Sequence, residues 1–119
     1  MARYQHLPIY RLTYECLARV MTVTGEFPRE YKFTLGQKLK DEVIEMVVLI
    51  YRANSSADKR DSITALLERA EVVGLLVRLS HDLKLLSTKA YAAIVEMIQS
   101  IAKQAQGWKR SPSAGREEK

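Results

Sequence analysis

One cysteine, two histidines, three prolines and five glycines in 119 residues exclude a good deal. A single thiol, Cys16, cannot build an internal disulfide framework, and a reducing, cytoplasmic compartment is the expectation. Two imidazoles, His6 and His81, leave little for a metal cluster or a catalytic triad. No glutamate is followed three residues later by histidine, so the ligand pair of di-metal helical bundles is missing. The chain has no GxGxxG and no Walker A loop for a nucleotide. Charged residues interrupt every apolar stretch before it reaches about 18 residues, so no segment is expected to span a membrane. Residues 1–6 lack the apolar centre of a signal peptide. These gaps point to a protein that is not an enzyme and uses neither metal nor cofactor.

What is present fits a helical domain. Apolar residues make up 47% of the chain, enough for a core, and few glycines or prolines break it up. At this length one domain is the simplest reading. Net charge is +5, unevenly spread. Residues 1–40 carry seven Lys/Arg against three acids, residues 41–102 seven against nine, and residues 103–119 five against two. Such a basic balance favours polyanionic partners and says nothing about fold.

The apolar periodicity predicts four amphipathic helices over residues 8–24, 35–53, 57–85 and 88–108. Pro8 suits a first helical turn. Ile9, Leu12, Cys16, Val20 and Val23 follow at spacings of three and four, and Gly25 suits the stop. Leu35, Leu39, Val43, Met46, Val47 and Ile50 form the second stripe, with Thr34 as its expected N-cap. Ile63, Leu66, Leu67, Ala70, Val73, Leu76, Val77 and Leu83 form the third. Gly74 inside it predicts a close helix crossing, since glycine costs about 1 kcal/mol there. Ser87 or Thr88 can cap the fourth helix, which runs inward through Tyr91, Ile94, Val95, Ile98, Ile101, Ala102 and Ala105. Trp108 is expected to be largely buried. Residues 1–110 then form the domain, and residues 111–119 read as a disordered tail.

Short connections between four helices imply an all-α, antiparallel up-down-up-down four-helix bundle. One end then collects Arg29, Lys32, Lys38 and Lys40 with Arg78, Lys84 and Lys89. The other gathers Arg52, Lys59 and Arg60 with Lys103, Lys109 and Arg110. These ends are the candidate nucleic-acid-binding surfaces, because Lys and Arg neutralise phosphates without regard to sequence. Tyr31, Phe33 and Trp108 have geometry for stacking on bases, but they also suit plugging the ends of a bundle. The broad apolar stripes, with Tyr10, Tyr14, Tyr31 and Phe33, exceed what one small bundle hides and predict self-association. His81 beside Asp82 reads as a surface pair, and Cys16 as a buried structural thiol.

Phe27-Pro28-Arg29, followed by Tyr31-Lys32-Phe33-Thr34-Leu35-Gly36-Gln37-Lys38-Leu39, is more elaborate than a helix connection needs. It resembles the hairpin of the four-helix proteins that include the accessory variability determinants (Avd) of diversity-generating retroelements. Relatives encoded in intervening sequences of ribosomal RNA genes are also similar. The resemblance continues through residues 75–91 and closes at Gly107-Trp108-Lys109, although Gln106 stands where the Avd pattern has a glycine. It implies a basic, barrel-like cyclic homo-oligomer, a pentamer. It also implies a non-catalytic accessory that associates with a reverse transcriptase and with RNA or DNA, and supports mutagenic cDNA synthesis. The alternative is a structural or protein-interaction bundle of the intervening-sequence type, with no reverse transcriptase partner.

Overall fold

Proline at position 8, extended backbone at Leu7 and four runs of spaced apolar residues set out the helices seen in the computed structural model, which describes residues 3–112. After a 3-10 turn at Tyr4–His6 come α1 (Pro8–Thr24), a single-turn α2 (Arg29–Lys32), α3 (Leu35–Ser55), α4 (Arg60–Asp82) and α5 (Thr88–Arg110). Among the described residues there is no strand. Helix α1 packs on α3 and α5, and α4 packs on the same two. Each long helix therefore has two neighbours, and α1 lies diagonally across from α4. Connections of a few residues make successive long helices antiparallel. Among the described residues, no helix is long and apolar enough to cross a membrane.

The core is the inner row of each helix. Cys16 and Val20 of α1 meet Val43, Met46 and Ile50 of α3, Val73 and Val77 of α4, and Ile94 and Ile101 of α5 in one fully buried cluster. Each large aliphatic side chain withdrawn from water contributes about 1.5–3 kcal/mol. Two threonines complete the α1 row where the apolar reading placed Leu12 and Val23, which are half-buried. Thr13 Oγ1 donates to the Ile9 carbonyl at 2.8 Å and Thr24 Oγ1 to the Val20 carbonyl at 2.7 Å. With the hydroxyl satisfied inside its own helix, each presents only a methyl group to the core.

Helix α4 is shorter at both ends than the expected residues 57–85. Its start is delayed by a polar turn, in which the Asp58 N–H donates to Ser56 Oγ and the Arg60 N–H donates to Asp58 Oδ1. Its end is a left-handed stop. Lys84 adopts φ 65°, the Leu85 N–H reaches back to the Ser80 carbonyl at 2.8 Å, and the Lys84 N–H to that of His81 at 2.9 Å. This is the Schellman pattern with lysine where glycine is usual. It turns the chain outward early and leaves Leu83 40% exposed, not inward as its spacing predicts. Ser87 caps α5 by accepting the Ala90 N–H at 3.0 Å. Helices α3 and α5 each run two residues past their expected ends.

Three local expectations are corrected. Thr34 holds the N-cap position of α3, but its hydroxyl donates backward to the Glu30 carbonyl at 2.8 Å and caps no helix N–H. Gly74 marks no close crossing, since a Cβ there would meet nothing within 4 Å. The close approach is at Gly36, where a Cβ would lie 3.3 Å from the Tyr31 carbonyl oxygen and 3.4 Å from both Phe27 and Thr24. Trp108 is half-buried against the core, short of the burial expected for it. Of the tail expectation, Ser111 and Pro112 are tied down by a lysine described below, and residues 113–119 lie outside the described residues.

Candidate nucleic-acid interface

The hairpin between α1 and α3 is built around Phe27. Pro28 holds the preceding residue away from helical geometry. Phe27 turns inward, 3% exposed, to close the end of the core, and its ring packs beside Gly36. With Phe27 buried, α2 presents Arg29 to solvent and leaves Lys32 partly covered. Phe33 projects outward at 65% exposure, while Tyr31 is half-buried and packs on the core.

The antiparallel order brings the α4–α5 turn, with Lys84 and Lys89, to this same end. Arg78 lies one helical turn before it. The cations there are not equivalent. Lys38 donates to Glu42 Oε2 at 2.9 Å, and Arg78 lies 3.9 Å from Asp82. Arg29, Lys32, Lys40, Lys84 and Lys89 make no ion pair among the described residues.

Glu42 explains why Lys38 is engaged. Its side chain is only 7% exposed, and Arg69 of α4 donates to its other carboxylate oxygen at 2.7 Å. Burial acts to raise its pKa, but the hydrogen bonds and charges of Lys38 and Arg69 outweigh this and hold it below the ordinary glutamate value. The triad ties α3 to α4 and removes Lys38 from the charge free to meet a ligand. The spacing of Lys38 and Glu42 is visible in the sequence, but Arg69, 27 residues away, is not.

At the opposite end the expected trio divides. Arg52 is exposed and lies 4.0 Å from Glu45. Arg60 is exposed at the start of α4. Lys59 is buried, 5% exposed, and its ammonium donates to the Ser111 carbonyl at 2.7 Å and the Pro112 carbonyl at 3.1 Å. Lys59 thus pins the exit of α5 to the entry of α4, drawing Lys109 and Arg110 beside Arg60 around a shared cavity. No local signal marks a lysine for burial when its acceptors lie more than 50 residues away.

Other groups take structural positions. His81 stacks on Tyr91 at 4.4 Å and accepts or donates at Thr88 Oγ1 over 3.3 Å, while its Nδ1 is 3.8 Å from Asp82. Cys16 is buried, and that burial pushes its thiol up to about 11, away from nucleophilic chemistry. Among the described residues no three His, Cys, Asp or Glu side chains are grouped to hold a metal. An aromatic cluster that the sequence reading did not assemble links α1 to α3. Tyr4 meets Tyr10 at 5.2 Å and Tyr51 at 5.1 Å, both edge to face, and Tyr10 stacks on Tyr14 at 6.0 Å.

Compared with known families, residues 8–112 match the sequence model of the family described as bAvd-like. No curated protein matches the chain. The match spans nearly all of the described residues, and the chain belongs to the bAvd-like family. Membership points to an accessory role in general terms.

Proposed function

We propose that this member of the bAvd-like family is a non-catalytic, nucleic-acid-binding accessory of a retroelement reverse transcriptase, supporting mutagenic cDNA synthesis. The observation that carries the binding half is the set of cations without ion pairs among the described residues at the two ends. Arg29, Lys32, Lys40, Lys84 and Lys89 lie at or near one end, and Arg60, Lys109 and Arg110 at the other. Each neutralised phosphate releases counterions, so such ends bind nucleic acid with little sequence preference. Lys38, Arg78 and Arg52 belong to the same surfaces but share their charge with acids. The genomic setting that accords with this role is a neighbouring reverse transcriptase gene with template and variable repeats.

The protein acts as a cyclic, barrel-like homo-oligomer, a pentamer by family resemblance. Two exposed apolar faces support this. Tyr14 and Met21 of α1 with Ile44 and Tyr51 of α3 form one, and Leu75, Leu79 and Leu83 of α4 form another. The second adjoins a groove lined by Gly74, Tyr91, Val95 and Ile98. The α1–α3 and α4–α5 seams are on opposite sides of the helix square. A contact joining them is head-to-tail, which closes into a ring when the rotation per copy permits. Both ends of each bundle then stay free for nucleic acid, and repetition around the ring raises avidity.

Light scattering should return the mass of several copies, and a monomer mass across micromolar concentrations would overturn the ring. Binding to single-stranded RNA and DNA should fall with salt, with a log–log slope of about −0.7 per phosphate neutralised. Arg29→Glu with Lys32→Glu and Lys89→Glu should weaken binding uniformly across sequences, as should Arg60→Glu with Lys109→Glu and Arg110→Glu. If both variants keep their helical spectrum and wild-type affinity at low salt, the ends are solvated surface and the accessory is a protein-interaction bundle.

A further inference from the structure

The cavity between the α3–α4 turn and the exit of α5 has a volume of about 890 Å³ and an unusual lining. Lys59, Arg60, Lys109 and Arg110 contribute four positive charges, and Asp58 contributes the one carboxylate. That carboxylate is directed at the backbone, accepting the Arg60 N–H at 3.1 Å. Asp61, on the first turn of α4, is exposed and does not line the cavity. None of the four cations makes an ion pair among the described residues.

Lys59 is the informative member. An ammonium has three donors, and two are spent on the Ser111 and Pro112 carbonyls. Those acceptors are neutral. A buried ammonium is ordinarily matched by an opposite charge, since its hydration has been given up. Here the buried charge sits among three further cations, an arrangement that an entering anion would stabilise.

We propose that this cavity is a binding pocket for a phosphate monoester, the terminal phosphate of a nucleic-acid strand or of a free nucleotide. The ligand's charge follows from the lining, four cations against one carboxylate. A phosphodiester within a strand brings only one negative charge and two free oxygens. A terminal phosphate has three free oxygens on one tetrahedral end and close to two negative charges at neutral pH. It can occupy the third Lys59 donor while Arg60, Lys109 and Arg110 engage its rim, with charge-assisted bonds. The strand-end form of the proposal rests on the nucleic-acid reading above, whereas the free-nucleotide form does not.

The test measures binding of the full-length protein to three labelled single strands by fluorescence anisotropy at one salt concentration. One carries a 5′-phosphate, one a 5′-hydroxyl, and one a 5′-hydroxyl with an extra nucleotide to compensate for added charge. The 5′-phosphate strand should bind at least about tenfold tighter than either other strand, the gain expected of one charge-assisted contact. Adenosine monophosphate and inorganic phosphate should compete for that increment. Arg60→Gln with Lys109→Gln should abolish the increment. Arg29→Gln with Lys32→Gln, at the far end, should weaken all three strands equally and preserve it. Equal affinity for the three strands, with no nucleotide bound, overturns the pocket and leaves general nucleic-acid binding standing. An increment that survives Arg60→Gln with Lys109→Gln also overturns it. Binding of adenosine monophosphate, lost in that variant, without binding of any strand keeps the pocket and removes the nucleic-acid reading.

Discussion

Replacing Glu42 by glutamine keeps the shape of a buried side chain and removes its charge, so it isolates what the α3–α4 tie contributes. Two donors are affected. Arg69, whose side chain is 32% exposed, loses a charge-assisted hydrogen bond of 2.7 Å. Such a bond contributes about 1.5–3 kcal/mol. Lys38 is 59% exposed, and screening limits its share to about 0.2–1 kcal/mol. Glutamine still accepts one hydrogen bond, which brings the expected loss to about 2 kcal/mol, below the 3–5 typical of breaking a fully buried pair. Urea denaturation at neutral pH and fixed protein concentration measures it, since the proposed self-association would make stability concentration-dependent. Arg69→Met and the Glu42→Gln/Arg69→Met double variant complete a cycle whose coupling should be about 1–2 kcal/mol. The pH dependence supplies a second readout. The folded-state pKa of Glu42 lies below its ordinary value of 4.5. Its contribution is therefore complete above that value and is lost as pH falls through the lower folded value. Wild type should show this acid loss and Glu42→Gln should lack that component. A Glu42→Gln protein within about 0.5 kcal/mol of wild type, the scatter of ordinary surface substitutions, would refute the tie.

Two further substitutions test the backbone reading. Lys84→Gly places the residue suited to a left-handed φ at the α4 stop, and thermal melting should show a gain of about 0.5–1 kcal/mol; a loss would mean the Lys84 side chain contributes more than its strain costs. Gly36→Ala should destabilise by about 1–3 kcal/mol through overpacking against Tyr31, Phe27 and Thr24, while Gly74→Ala, with open space around it, should stabilise α4 by up to about 1 kcal/mol. The opposite order in the same melting experiment would return the close crossing to Gly74.

Helix type, the number of long helices and most of the inward positions follow from spacing alone, because burying one stripe per helix is a local requirement on the chain. Ile63, Val73 and Ile101 could be assigned to the core with no knowledge of their neighbours. Charge placement was equally legible as far as the ends, since short connections dictate which turns share an end. Tertiary structure decided which of those charges remain available. Lys38 was withdrawn by Glu42, which is itself held by Arg69 of another helix, and Lys59 was drawn inward by carbonyls beyond the far end of α5. Thr13 entered the core because its hydroxyl is satisfied within the helix, and Leu83 left it because Lys84 ends α4 in a left-handed turn. An apolar residue announces its burial through a period repeated along its own segment. A charged residue is buried or freed by the distance to groups elsewhere in the chain, and only the packed helices set that distance.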